Sequence, residues 1–367
     1  EDKTNWFYSV FGFQEPEEYD DVKSNFYLKA PDALVSRGNG REFKIGTFET
    51  PSLLELSSRA RRLLELKPEG FLRGKLRVSF VFGDVSNILA SSKYRYSTFQ
   101  VASQLNCLEF MGPYSRPEDG LTGYVFDRTQ GPACAIACAP AAVYRNYFAP
   151  VYEDGKVVQH GQTSDRMINN LDDFIKKLKV ELPVTGGYLL PDRKHIRKAT
   201  QCLGAASSNP SGLEELLSSV KVGVHRDVEV TSCDWGRTLL PPSAQQYVTK
   251  VLCSACPVSY SDCAPDEWEL IAKRILDVSY EACFWAAVES SCLQEGQDGS
   301  CCLVLTILGG GAFGNDMSWI VDAIGKCLNK FQGYKLDVKI NIYSHNHLPK
   351  MLLDVVKPYM RDGAEGE

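Results

Sequence analysis

The chain has 367 residues and no run of eighteen or more apolar ones, which excludes an ordinary membrane-spanning helix. Its first residues, Glu1-Asp2-Lys3-Thr4-Asn5, lack the basic start and apolar centre of a signal peptide. Basic charge is not in excess: 40 Lys and Arg stand against 46 Asp and Glu, for a net charge of −6. No general nucleic-acid surface is therefore expected, and any phosphate recognition must be local. No Gly-x-Gly-x-x-Gly followed about twenty positions later by an acidic residue occurs after an early strand, and no Gly-x-x-x-x-Gly-Lys-Ser/Thr occurs at all. Both absences weigh against dehydrogenase and P-loop chemistry. Internal repeats and low-complexity tracts are also missing.

Cysteine, by contrast, is plentiful and odd in number, at 13. Cys107, Cys134, Cys138, Cys283, Cys301 and Cys302 lie in apolar surroundings, the pattern of reduced core thiols in a cytoplasmic protein. Cys253, Cys256 and Cys263 contain one Cys-x-x-Cys pair without a second at matching spacing, so no metal is expected.

A hydrophobic content of 44% is ample for a core. Residues 1–50 are polar and aromatic with no clear period and read as a partly ordered extension. Ser52 to Leu66 carries leucines at helical spacing behind Pro51-Ser52, which completes an N-terminal extension over 1–70. Strands are expected at Arg77 to Phe82, Thr98 to Ala102, Val222 to Thr231, Tyr247 to Leu252, Leu303 to Ile307 and Asp337 to Tyr343. Helices are expected at Asp266 to Glu289 and Ser318 to Leu328, and a loop opening a closely packed helix after Gln130. A helical insertion over 151–220 holds amphipathic stretches at Ser164 to Leu178 and Gly212 to Val220, with a polar linker at Ala205 to Ser211. The main domain then runs over 71–355, ahead of a polar tail at 356–367. Strands alternating with helices argue for an α/β fold with a mixed, mostly parallel sheet covered on both faces.

In open α/β sheets, ligands sit beyond the carboxyl ends of strands. Four stretches place polar or glycine residues there. Gly309-Gly310-Gly311-Ala312-Phe313-Gly314-Asn315 follows a buried strand and precedes a helix, so main-chain N–H groups can approach an anion closely. Asp84, after Gly83 and before Val85, can accept a hydrogen bond from an adenine amino group or cap a helix. Asn106 can bind ribose hydroxyls or serve as a core amide. In Asp127-Arg128-Thr129-Gln130-Gly131-Pro132-Ala133-Cys134-Ala135, small residues permit backbone approach to a sugar diphosphate, or simply close helix packing.

Taken in order, these four elements resemble the ADP-ribose-binding macrodomain family. The resemblance implies a three-layer α/β/α fold in which Asp84 and Val85 meet the adenine and Asn106 lies near the ribose of the scissile bond. It places Gln130, Gly131, Cys134 and Ala135 along the ligand and makes the loop from Gly309 to Asn315 the diphosphate clamp. Tyr343, ending the last strand, is a candidate to stack on adenine. Finer wording is similar to the arginine-specific, MavL-type branch: Gly46-Thr47-Phe48-Glu49-Thr50-Pro51-Ser52, the Asp127 to Ala135 stretch, Val224-His225-Arg226-Asp227 and Cys253-Ser254-Ala255-Cys256-Pro257-Val258. The resemblance implies removal of ADP-ribose from modified arginine side chains of proteins, ubiquitin among them, with ADP-ribose as ligand or product and no other cofactor.

Two departures shift the search for the catalytic group. Poly(ADP-ribose) glycohydrolases follow their glycine triplet with Gln-Glu-Glu, whereas Gly311 is followed by Ala-Phe-Gly-Asn-Asp-Met-Ser-Trp. The usual Asn-Ala-Ala-Asn is replaced by Ser103-Gln104-Leu105-Asn106. Cleavage at an anomeric carbon needs a carboxylate to orient water or stabilise positive charge. Asp227 is the first candidate and Asp234 the second, and an unbroken strand would put His225 and Asp227 on one face. Competing readings are a non-catalytic ADP-ribose reader, a poly(ADP-ribose) glycohydrolase-like enzyme, and a redox or nucleotide-transfer enzyme on a Rossmann-like sheet. Neither nucleic acid nor membrane is an expected partner.

Overall fold

The computed structural model describes residues 5–360. Seven strands form the central sheet: β1 (Thr47–Glu49), β2 (Arg77–Phe82), β3 (Thr98–Ala102), β4 (Gly223–Glu229), β5 (Tyr247–Cys253), β6 (Cys302–Leu305) and β7 (Asp337–Ile342). Their spatial order is β1-β4-β5-β3-β6-β7-β2. β5, β3, β6, β7 and β2 run parallel, while β4 is antiparallel to both β5 and β1. Five carboxyl ends therefore open onto one edge of the sheet.

The strand sequences explain the layers. In β6, Leu303 and Leu305 point into one core and Cys302 and Val304 into the other, a period of two with both faces covered. The first core takes helices α1 (Leu53–Glu65), α5 (Pro265–Leu293) and α6 (Met317–Phe331). The second takes α2 (Val85–Ala90), α3 (Gln130–Ala137) and part of α4 (Ala139–Tyr147). α1 starts at a capping box in which the Ser52 hydroxyl accepts from the Glu55 N–H and the Glu55 carboxylate accepts from the Ser52 N–H. The three-layer α/β/α arrangement with a mixed, mostly parallel sheet is thus the architecture of the chain. No helix among the described residues is long and apolar enough to cross a membrane.

Several segments differ from their sequence expectations. Residues 5–49 are folded, residues 1–4 of the expected extension lying outside the described residues: helices Trp6–Phe11 and Tyr19–Ser24 and an antiparallel sheet of Phe26–Lys29, Ala33–Ser36 and Glu42–Lys44 enclose an aromatic core of Phe7, Phe11, Phe26 and Phe43. β1 then joins the main sheet. The insertion contains two antiparallel pairs, Pro150–Glu153 with Lys156–His160 and Val184–Thr185 with Tyr188–Leu189, besides its helices. Helix Arg193–Ser207 occupies part of the expected linker, burying only Ile196, Ala199 and Leu203. The stretch from Ser164 is helical only over Asp172–Leu178, because the Asn170 N–H is held by the Leu105 carbonyl at 3.0 Å. In the tail, Lys357–Tyr359 forms a 3-10 turn, and residues 361–367 lie outside the described residues.

Candidate active site

Each carboxyl end contributes a fixed piece of one cleft. After β2, Asp84 caps α2: its Oδ1 accepts from the Ser86 N–H at 2.8 Å and the Ser86 hydroxyl at 2.5 Å. Its Oδ2 accepts from Trp235 Nε1 at 2.7 Å, so the same side chain serves as cap and as cleft wall. The Arg128 guanidinium lies 4.4 Å over the Trp235 ring. After β7, Asn341 Nδ2 donates to the Val81 and Gly83 carbonyls at 3.2 and 3.1 Å, and Tyr343 stands 72% exposed at the rim.

At the end of β3, Gln130 is fully engaged with backbone. Its Oε1 accepts from the Ala102 N–H at 2.8 Å and its Nε2 donates to the Gln100 carbonyl at 2.9 Å. Gly131 permits this joint, since a Cβ there would collide with the Ala102 carbonyl. At the end of β6, the Thr306 N–H donates to Gln100 Oε1 at 3.1 Å, and the Tyr280 hydroxyl bridges the Thr306 carbonyl and the Leu308 N–H at 2.8 and 3.0 Å.

The glycine loop turns at Gly309, whose φ of +77° and 2.5 Å clearance to the Ala255 Cβ exclude a side chain. Asn315 latches the loop. Its N–H donates to the Gly309 carbonyl at 2.9 Å and its Nδ2 to the Cys256 carbonyl at 2.7 Å. The N–H groups of Gly311, Ala312 and Phe313 meet no protein acceptor among the described residues. Successive free main-chain donors of this kind form an anion-binding concavity.

These elements bound two adjoining lobes that share Thr129, Gln130, Thr306, Ile307 and Gly311. The first, of about 400 Å³, lies between Asp84, Val85, Trp235 and Tyr343. The second, of about 280 Å³, is walled by Gln104, Asp127, Tyr188, Tyr260 and Phe313 and includes Glu109. Phe313 packs against Tyr188 and Tyr260 with centroids at 5.3 and 5.6 Å, and Tyr188 and Tyr260 are 5.3 Å apart. Burial raises both tyrosine hydroxyls above their usual range. Tyr260 and then Asp127 add to the effect at Tyr188, and Asp127 adds to it at Tyr260.

Glu109 is 1% exposed. Its Oε1 accepts from Arg145 Nη2 at 2.7 Å, while its Oε2 has no partner. Arg145, itself fully buried, also donates from Nε to the Cys107 carbonyl at 2.8 Å and lies 3.4 Å from His225 Nδ1 through Nη1. Lys250 Nζ donates to the Cys134 carbonyl at 3.1 Å. Burial pushes His225 well below its usual range, with Arg145 and Lys250 adding to it, and burial then Arg145 push Lys250 down. The carboxylate is thus held by the Arg145 guanidinium, while the Lys250 ammonium is engaged by the Cys134 carbonyl.

The sequence candidates divide. Asp84, Val85, Gln130, Gly309, Gly310, Gly311, Ala312, Phe313 and Tyr343 line the cleft. Gly131, Gly314 and Asn315 shape it from behind. Cys134 and Ala135 are buried inside α3, where burial raises the Cys134 thiol above its usual range. Asn106 is fully buried outside both lobes, its Oδ1 accepting from the Leu108 N–H at 3.1 Å. Asp227 also lies outside them, at a break in register between His225 and Val228 with φ of +56°. Its Oδ1 accepts from Gln294 Nε2 at 2.6 Å, while His225 faces Arg145, so no His-Asp pair forms. Asp234 is a half-exposed neighbour of Trp235, 3.7 Å from Arg237. Among the cysteines at 253, 256 and 263, Cys253 faces Cys283 at 3.7 Å and Cys263 faces the Pro191 carbonyl at 3.8 Å. No group of three or more potential metal ligands occurs among the described residues.

Sequence reasoning did not single out Glu109, Arg145, Tyr188 or Trp235. One signal for Glu109 was present: it is the only charge in Leu105-Asn106-Cys107-Leu108-Glu109-Phe110, and a carboxylate in such a run needs a buried partner.

No protein-family model matches the chain, and no curated protein does. Among solved structures it is similar to the poly(ADP-ribose) glycohydrolase of Thermomonospora curvata, with 14% identity, 98% of each chain covered and a TM-score of 0.45. The same enzyme bound to the inhibitor ADP-HPD gives 14% identity, a TM-score of 0.42, and coverage of 97% of this chain and 98% of that one. The poly(ADP-ribose) glycohydrolase of Deinococcus radiodurans in complex with ADP-ribose gives 14%, 0.41, 86% and 95%. These are likenesses of chain path.

Proposed function

We propose that the chain hydrolyses the glycosidic bond joining the terminal ribose of ADP-ribose to another group, and that this group is the guanidinium of a protein arginine. The observation that carries the reading is Glu109: a buried carboxylate with one oxygen unpartnered, in the lobe next to the free N–H groups of Gly311, Ala312 and Phe313. Leaving a buried acceptor unsatisfied is costly, so a group retained in this state within a cleft is a functional candidate.

In this reading the adenine end lies between Asp84 and Tyr343, the diphosphate lies on the glycine loop, and the distal ribose enters the second lobe. Water adds to the anomeric carbon as the carbon–nitrogen bond breaks. The bonding electron pair leaves with the guanidine nitrogen, which takes up a proton. The Glu109 carboxylate opposes the positive charge developing on the ribose and accepts the proton of the attacking water. Asp127 beside Tyr188 and Tyr260 supports the arginine linkage, because a carboxylate among aromatic faces suits a planar cation.

Release of free ADP-ribose from an arginine-modified protein, ubiquitin being one choice, tests the reading against a poly(ADP-ribose) substrate run in parallel. Release from the arginine conjugate supports it. Release from the polymer alone makes the chain a poly(ADP-ribose) glycohydrolase-like enzyme, and ADP-ribose binding without release from either makes it a reader.

A further inference from the structure

Three large apolar side chains stand in solvent on the two segments that leave the second lobe at Phe110 and Asp127: Met111 at 48% exposure, Tyr114 at 87% and Phe126 at 62%. Met111 directly follows Phe110 and Phe126 directly precedes Asp127, both of which line the lobe. The two segments meet, with Met111 Cε 3.9 Å from the place a Cβ on Gly123 would take.

Both segments are anchored, so their exposure is not fraying. The Ser115 N–H donates to the Gly112 carbonyl at 3.1 Å, and Asn146 Nδ2 donates to the Pro117 carbonyl at 2.9 Å. The half-buried Glu15 carboxylate accepts from the Leu121 N–H at 2.8 Å and the Thr122 N–H at 2.6 Å, fixing the turn that ends at Phe126. The backbone that carries these side chains away from the lobe is thus fixed, which holds them ready for a partner.

The charge of these segments restricts what they can meet. Between residues 110 and 127 the sole cation is Arg116, paired with Asp119 at 2.8 Å, while Glu118 and Asp127 are further acids. A chain of pyrophosphates leaving along these two segments would meet no cation there other than the paired Arg116. An anionic lipid surface would be repelled in the same way. A polypeptide with apolar side chains around a basic residue suits these segments.

We propose that Met111, Tyr114 and Phe126 form the docking rim for the polypeptide that bears the ADP-ribosyl group. This rests on the proposed function and names the partner at the exit of that site. Exposed aromatic residues in a small cluster are the side chains that dominate protein–protein affinity.

The test compares two substrates for the full chain: an ADP-ribosylated protein and a small ADP-ribosyl guanidine compound carrying the same bond. For the triple variant Met111→Ser, Tyr114→Ser, Phe126→Ser, KM for the protein substrate is expected to rise about tenfold with turnover of the small compound unchanged. Tyr114→Ser alone, at the most exposed position, is expected to give part of that rise without any effect on folding. Equal effects on both substrates, or none on the protein substrate, overturn the docking rim while leaving the hydrolase reading intact. Wild-type inactivity on both substrates overturns the hydrolase reading and the rim with it.

Discussion

The Arg145 guanidinium meets the Glu109 carboxylate at 2.7 Å with neither side chain exposed to solvent, and the second carboxylate oxygen is left without a partner. Removing one member of such a pair strands a buried charge, which costs about 3–5 kcal/mol, so activity lost in Glu109→Ala or Arg145→Ala would mix chemistry with unfolding.

Glu109→Gln keeps the shape and a hydrogen-bond acceptor for Arg145, but leaves the guanidinium without its counter-charge, so a thermal melt is read beside turnover to separate chemistry from unfolding. Turnover is expected to fall by a factor of about 100 to 10,000, the usual range for a general acid–base group. ADP-ribose affinity measured by calorimetry is expected to stay within a few-fold of wild type. Wild-type turnover in this variant would remove Glu109 from the mechanism.

Asp227→Asn tests the carboxylate that the sequence favours. Asparagine tolerates the left-handed backbone at this position and still offers an oxygen to Gln294, so turnover and melting temperature are expected to match wild type. A loss of turnover of 100-fold or so with an unchanged melting temperature would return the catalytic role to Asp227.

Gly309→Ala is expected to weaken ADP-ribose binding and lower stability together. It places a Cβ 2.5 Å from that of Ala255 and forces a positive φ on alanine, at a cost of roughly 1–2 kcal/mol for the backbone alone. Gly311→Ala meets open space, so its stability is expected to stay within about 0.5 kcal/mol of wild type. Calorimetry and thermal melts on the two variants separate loop shape from loop chemistry.

His225 makes the fold acid-sensitive. Its pKa is depressed in the folded state, so below the unfolded value of about 6.5 the unfolded chain binds a proton that the native chain does not. Stability from this group therefore falls as pH drops through 6.5, by up to about 1.4 kcal/mol per pH unit. Glu15, whose pKa burial raises, acts in the opposite sense by favouring the fold at lower pH. The drop in melting temperature between pH 7 and pH 5.5 is expected to shrink in His225→Gln, and an unchanged drop would exclude His225 as its source.

The sheet was legible because its strands are buried on both faces and end at glycine or polar residues: Arg77–Phe82 and Thr98–Ala102 have the bounds their sequences predict. The Ser52–Glu55 capping box is a local signal of the same kind. The aromatic core of residues 6–43 was not legible, since its helices and strands are short and their partners lie far apart in the chain. At the site, the glycine loop is a contiguous motif. The Glu109–Arg145 pair spans 36 positions and exists only once α4 packs against β4. β4 runs antiparallel, so Asp227 lies toward the start of β5 and away from the carboxyl ends that form the cleft, and the shift in register between His225 and Val228 breaks the alternation that would have paired His225 with Asp227.

Phe313 belongs to two structures at once: its N–H is the last of the free donors of the glycine loop, and its ring completes the aromatic wall with Tyr188 and Tyr260. Under the proposed function, an anion that settles the loop thereby also settles one wall of the second lobe. On that reading a riboside without the diphosphate meets the wall unfixed, and the phosphates serve as a proofreading mark as well as a handle.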